Sequence, residues 1–89
     1  MRNRPRVLIV DDDTEIVQAV VVRLGAAGYD VITAADGEQG FERALETRPH
    51  VIVMDLQLPT MDGLTALARI PAHPATRSTP VVVLSACAS

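Results

Sequence analysis

The sequence predicts an α/β fold in which a parallel sheet is covered by helices on both faces. Three observations predict it. Four runs of strand length, Val7–Val10, Tyr29–Ala34, Val51–Met54 and Val81–Leu84, are rich in β-branched residues. The first, third and fourth are apolar at every position, the pattern of a strand buried on both faces rather than one. Segments with helical spacing separate the runs, giving β-α-β-α-β-α-β, an alternation that implies right-handed crossovers and three layers.

Each element has its own local reason. Arg2–Arg6 is a short polar arm, and Val7-Leu8-Ile9-Val10 follows it as the first strand. Asp11-Asp12-Asp13-Thr14 ends that strand. Asp13 or Thr14 can cap a helix, and Glu15 suits its first turn. Ile16, Val17, Val20, Val21 and Leu24 recur at helical spacing, and Gly25 and Gly28 mark the end. After the second strand, Asp36-Gly37 turns the chain into a helix over Glu38–Thr47, with Phe41, Ala44 and Leu45 on its apolar side and Pro49 as the stop. Beyond the third strand, Leu64, Leu67, Ala68 and Ile70 outline a short helix broken at Pro71. Ala72–Pro80 reads as a loop, and Val81–Leu84 is the last strand, with Ser85 at its end.

The totals bound the function. Eighty-nine residues make one domain, spanning 1–89, with little stability to spare. The composition is globular, at 48% hydrophobic and 21% charged with a mean hydropathy of +0.23. Tyr29 and Phe41 are the only aromatic residues, and the eight basic residues are all Arg. A net charge of −3, no basic patch and no stacking platform argue against nucleic-acid binding. Cys87 is the only cysteine, so an intramolecular disulfide is excluded and a reducing cytoplasm is the expected setting. No signal peptide is recognisable, since the apolar run after the basic start stops at Val10. No apolar run approaches the ~20 residues of a membrane span.

The chemistry lies where strands end. In a parallel sheet the C-terminal ends of the strands share one edge, where ligands bind in open α/β folds. Asp11–Asp13, Asp55 and Ser85 all follow strands. If the first, third and fourth strands are neighbours, Asp11, Asp12 and Asp55 meet, with the Ser85 hydroxyl beside them. Two carboxylates ~4 Å apart repel by roughly 4 kcal/mol at an effective dielectric of 20. Three need a cation or must partly protonate, and an all-oxygen site with room for water suits Mg²⁺. Any one of these acids alone would be a turn former or a cap. Asp13 stays a capping or solvated residue, and Asp36 and Asp62 stay with turn formation beside Gly37 and Gly63. His50 and His73 stand in loop contexts as solvated side chains, and nothing orients either toward Cys87 as a thiol nucleophile. The acid run lacks the Gly and the terminal Glu of an EF-hand loop.

Together, VLIVDDD, VIVMDLQLPTMDG and PVVVLSA resemble the response-regulator receiver domain of two-component signalling, over the whole chain. The resemblance implies a flavodoxin-like sheet with strand order 2-1-3-4-5. It implies that Asp55 is the phosphoacceptor, attacking the phosphoryl group of a histidine-kinase phosphohistidine to form an acyl phosphate. Asp12 would bind Mg²⁺ directly and Asp11 through water, with Asp55 and the backbone carbonyl of Gln57 completing the protein's ligands. Ser85 and the Ala86 N–H would bond the phosphoryl oxygens, and Pro59 and Gly63 would shape the loop. The implied partner is a histidine kinase or phosphotransfer protein. The module is not an enzyme beyond its own phosphorylation and dephosphorylation. The other reading is a signalling-incompetent remnant that only binds or dimerises. A haloacid-dehalogenase-like phosphatase is disfavoured, because its D-x-D-x-T/V pattern would require Thr or Val at Glu15.

The chain departs from the family in one respect. The fifth strand and last two helices are not among its residues, so the expected sheet is incomplete: four strands in order 2-1-3-4 with three helices. The Lys that ends the family's fifth strand has no counterpart, since the 89 residues contain no Lys. The fourth strand becomes an open edge, and the first helix loses a neighbour. Uncovering on the order of 400 Å² of apolar surface costs ~10 kcal/mol, comparable with the ~5–15 kcal/mol stability of a domain. The expectation is a receiver truncated after its fourth strand, either a homodimer through the open edge or a fragment of a longer protein.

Overall fold

The structure, a computed structural model, describes residues 4–56 and 68–85. Its elements are β1 (Arg6–Val10), α1 (Thr14–Ala26), β2 (Asp30–Ala34), α2 (Gly37–Thr47), β3 (Val51–Leu56) and β4 (Val81–Ser85), with residues 68–72 helical between β3 and β4. The four strands form one sheet in the order β2-β1-β3-β4, and every pairing is parallel. The predicted topology is therefore the observed one.

The order also assigns the helices to faces. The chain steps from β1 to β2 in one direction and from β2 to β3 in the other, so right-handed crossovers place α1 and α2 on opposite sides. Register does the rest. Leu8 lies opposite Ile52 and Ile32, and Val10 opposite Met54 and Ala34. These side chains pack with Phe41 and Ala44 of α2 and with Ile70 into one core. The alternate residues Val7 and Ile9 are buried on the α1 side, but no residue of α1 itself is buried.

Local signals account for the ends of elements. Asp13 is the N-cap of α1, its Oδ1 accepting from the N–H groups of Glu15 at 3.1 Å and Ile16 at 3.3 Å. Gly25 lies inside α1, and the turn falls on Gly28, whose φ is 98°. Asp36 caps α2 by accepting from the Gln39 N–H at 2.7 Å, and the Gln39 Oε1 accepts from the Ala35 N–H at 2.9 Å. Arg48 ends α2 in the left-handed region with φ 48°, and Pro49 follows. Gly40 has a packing reason: a Cβ there would lie 2.7 Å from a methyl of Val10, so α2 sits close on β1 only because this residue has no side chain.

One boundary differs from expectation. Pro71 does not break the third helix, which runs on to residue 72. Proline withdraws its own N–H, but the His73 N–H still reaches the Arg69 carbonyl at 3.1 Å, closing the turn across it. Leu64 and Leu67, expected on that helix, lie outside the described residues.

Candidate functional site

β1 and β3 are paired so that Val10 stands beside Met54. One residue further, Asp11 and Asp55 occupy matching places at the C-terminal edge. On the other side of β3, Asp55 pairs with Leu84 and Leu56 with Ser85. The backbone thus brings Asp11, Asp55 and Ser85 to one sheet edge, as the sequence predicts from strand ends. Gln57, Ala86, Pro59, Asp62, Gly63 and Cys87 lie outside the described residues, and of Asp55 and Ser85 the structure describes the strand backbone.

Asp11 is the most informative side chain. It is 7% exposed, its N–H donates to the Ala34 carbonyl at 3.0 Å, and its Oδ1 accepts from the Asp13 N–H at 2.9 Å. Among the described residues nothing bonds its second carboxylate oxygen. A buried carboxylate with one neutral donor is poorly compensated for leaving water. Asp12, next in the chain, is exposed, and Asp13 spends its carboxylate on the cap of α1. The acid run is therefore divided: Asp11 is buried and held, Asp12 faces water, and Asp13 starts the helix. A hard cation with oxygen ligands fits the first two together with a third carboxylate at the Asp55 position. Among the described side chains alone no three such groups are gathered, so the donor set depends on Asp55.

A second arrangement escaped sequence reasoning. His73 is half-buried rather than solvated. Its Nδ1 accepts from the Ala75 N–H at 3.0 Å, and its ring meets Phe41 edge-on at 5.8 Å. The Arg69 guanidinium lies 4.3 Å from the centroid of the same Phe41 ring. Thr76, fully buried, donates from Oγ1 to the Ile70 carbonyl at 2.6 Å. The Phe41 contacts hold the segment leading into β4 against α2. His50 is exposed, as expected, but its Nδ1 accepts from the Arg6 N–H at 2.9 Å. Both histidines thus serve as backbone acceptors. Loop positions read as solvated gave no hint of it, because the partners are an N–H two residues away and a strand start 44 residues away.

Comparison with known proteins agrees with this geometry. The family model described as "Response regulator receiver domain" matches residues 7–89. The chain is 43% identical over 82 residues to the DNA-binding dual master transcriptional regulator RpaA of Synechocystis, covering 92% of this chain and 34% of that protein. It is 50% identical over 86 residues to protein-glutamate methylesterase/protein-glutamine glutaminase 6 of Anaeromyxobacter dehalogenans, covering 94% of this chain and 24% of that one. It therefore spans about a third or less of these curated relatives. Among solved structures, the chemotaxis response regulator CheY4 of Vibrio cholerae superposes with a TM-score of 0.86 at 34% identity, over 98% of this chain and 72% of that one. Among the described residues no helix is long and apolar enough to cross a membrane.

Proposed function

The chain belongs to the response regulator receiver domain family, and on that premise we propose that Asp55 is its phosphoacceptor. The reading is carried by the edge that the β1–β3–β4 register creates, where Asp11, Asp55 and Ser85 come together. A carboxylate oxygen of Asp55 attacks phosphorus in a phosphohistidine of a histidine kinase or phosphotransfer protein. The new O–P bond makes an acyl phosphate as the N–P bond breaks, and the imidazole leaves with the electron pair. Asp11, Asp12, Asp55 and the Gln57 carbonyl are the residues that would hold Mg²⁺, which when bound supplies neutralising charge for the phosphoryl oxygens. The Ser85 hydroxyl and the Ala86 N–H would donate to those oxygens. Asp13 supports the site from behind by holding Asp11 through its backbone N–H.

On this reading the module catalyses nothing beyond its own phosphorylation and dephosphorylation, and its setting is the cytoplasm. Residues 1–89 hold the first four strands of a five-stranded unit, a reading supported by the 72% of the CheY4 chain that they match. The open edge of β4, with Val82 and Val83 exposed, is a surface on which a second copy could pair. Incubation with acetyl phosphate and Mg²⁺ followed by intact mass tests the phosphoacceptor assignment. One added phosphoryl group is expected in the wild-type chain and none in Asp55→Asn. A chain that gains no phosphoryl group, or an Asp55→Asn chain that still gains one, rejects it and leaves the binding-only remnant as the better reading.

A further inference from the structure

We propose that the corner where β1, β2 and β3 begin and α2 ends is a docking surface for an acid-rich polypeptide segment of a partner, held by Arg4, Arg6, Arg48 and His50. It lies at the edge of the sheet opposite Asp11 and Asp55 and does not rest on phosphorylation.

No run of the sequence gathers these residues, since Arg6 and His50 are 44 positions apart. Parallel pairing brings them together, because it puts every strand start on one edge. Arg6 lies opposite Asp30 and Val7 opposite Val51, and the His50 N–H donates to the Arg6 carbonyl at 2.8 Å. α2 runs back along the sheet and delivers its C-cap, Arg48, to the same corner. Arg4 precedes β1, and all four side chains are exposed. The corner lies on the β2 side of the sheet, away from the β4 edge.

Its polar groups are divided by kind. The acceptors are used internally. The Thr47 carbonyl takes the Arg6 guanidinium, the Pro5 carbonyl takes the Asp30 N–H at 2.9 Å, and the Ala44 carbonyl takes the Arg48 N–H at 3.0 Å. The Arg43 carbonyl takes the Thr47 hydroxyl at 2.7 Å. The ring acceptor of His50 is used too, because its Nδ1 accepts from the Arg6 N–H at 2.9 Å. That bond places the ring proton on Nε2 and leaves Nε2 a donor. The groups that remain for a partner are therefore guanidinium N–H groups and the Nε2–H. Among the described residues none of the three arginines makes an ion pair. The acids of the same elements closest to the corner, Asp30 on β2 and Glu46 in the last turn of α2, are exposed and make none either. Cations beside a helix C-terminus are ordinary, which accounts for Arg6 and Arg48 taken singly. It gives no reason for Arg4, or for a histidine held as a donor beside them.

Charge and size select the partner. The opposite edge carries Asp11, Asp12, Asp13, Glu15, Asp36 and Glu38, so attraction for an anion is confined to this end of the molecule. Strand starts ~4.8 Å apart span roughly 10 Å across three strands, the reach of about three extended residues. Guanidinium groups bind carboxylates through paired N–H···O bonds, and a short run of Asp or Glu presents several carboxylates over that distance. A nucleic-acid duplex would instead extend its line of phosphates over a surface whose net charge is −3.

Titration of a hexaglutamate peptide into the isotope-labelled 89-residue chain, at low salt and neutral pH, tests this through the backbone amide resonances. Saturable shifts are expected at Arg6, Asp30, Arg48 and His50, with a Kd on the order of 1 mM. Raising the salt to ~0.2 M should weaken binding at least about threefold. Three variants probe the donors. Arg48→Gly suits the left-handed backbone there, where φ is 48°. Arg4→Glu lies ahead of β1, and His50→Asp keeps an acceptor for the Arg6 N–H while reversing the charge. Each should weaken binding at least about threefold, and the triple variant at least about tenfold, with the amide spectrum of the core unchanged. Absence of saturable shifts, shifts centred on Arg23, Arg69 or Arg77, or variants that bind as well as wild type overturn the inference. Inorganic phosphate or a short DNA duplex that moves the same amides at lower concentration than the peptide also overturns it.

Discussion

The two long helices of this chain lie on opposite faces of one sheet and are treated differently by it. Gly37, Gly40, Phe41 and Ala44 of α2 are buried, whereas α1 has no buried residue. Composition alone points the other way, since α1 carries Ile16, Val17, Val20, Val21, Val22 and Leu24, and α2 only Phe41, Ala44 and Leu45 as apolar residues beyond glycine. Arrangement contributes to the difference. α2 confines its apolar residues to one side and removes the side chain at Gly40, so that it lies close on Val10. α1 spreads aliphatic residues around its circumference and can turn only some of them to the sheet. Burial depends on where apolar residues sit and how near the backbone can come, more than on how many there are.

That contrast can be broken in several ways. The largest effect is expected from Ile52→Ala, which empties the fully buried centre of the α2-side core and should cost about 2–5 kcal/mol. Val22→Ala on α1 should change monomer stability by no more than about 0.5 kcal/mol. Urea unfolding of the two variants reads both numbers, and similar midpoints would mean that the faces are packed alike. A sharper version uses one substitution twice. Gly40→Ala places a Cβ 2.7 Å from a buried Val10 methyl and should destabilise by about 1 kcal/mol even after the gain in helix propensity. Gly25→Ala meets nothing within 4 Å and should stabilise by about 0.5–1 kcal/mol. Shifts of the same sign would contradict the packing difference between the two helices.

Much of this organisation was legible in the sequence, for identifiable reasons. The strands were visible because unbroken Val/Ile/Leu runs admit few other readings, and their boundaries shifted by only a residue or two: β1 begins at Arg6 and β2 at Asp30. The cap at Asp13 followed from short-range chemistry, whereas Asp36, read as a turn former, caps α2. Strand ends foretold the edge shared by Asp11, Asp55 and Ser85, because parallel pairing leaves the residues after each strand on one side. Three features were not legible. Pro71 reads as a breaker, but the turn across it is closed by the hydrogen bond from His73 to Arg69. The roles of His50 and His73 depend on partners supplied by tertiary structure. The outer face of α1 looked like ordinary helical spacing, because periodicity marks which residues share a side and not whether that side is covered.

The site itself rests on a simple requirement. Among the described residues Asp11 is buried with one neutral donor, and the neighbouring strand brings Asp55 to the matching place. Titration of Mg²⁺ into the isotope-labelled chain, followed through its backbone amide resonances, tests this most directly. Saturable shifts are predicted at Val10–Asp13 and Met54–Leu56, and they should be lost in Asp11→Asn. Mg²⁺ that leaves these amides unmoved, or moves them equally in Asp11→Asn, would contradict a cation site at the edge shared by β1 and β3.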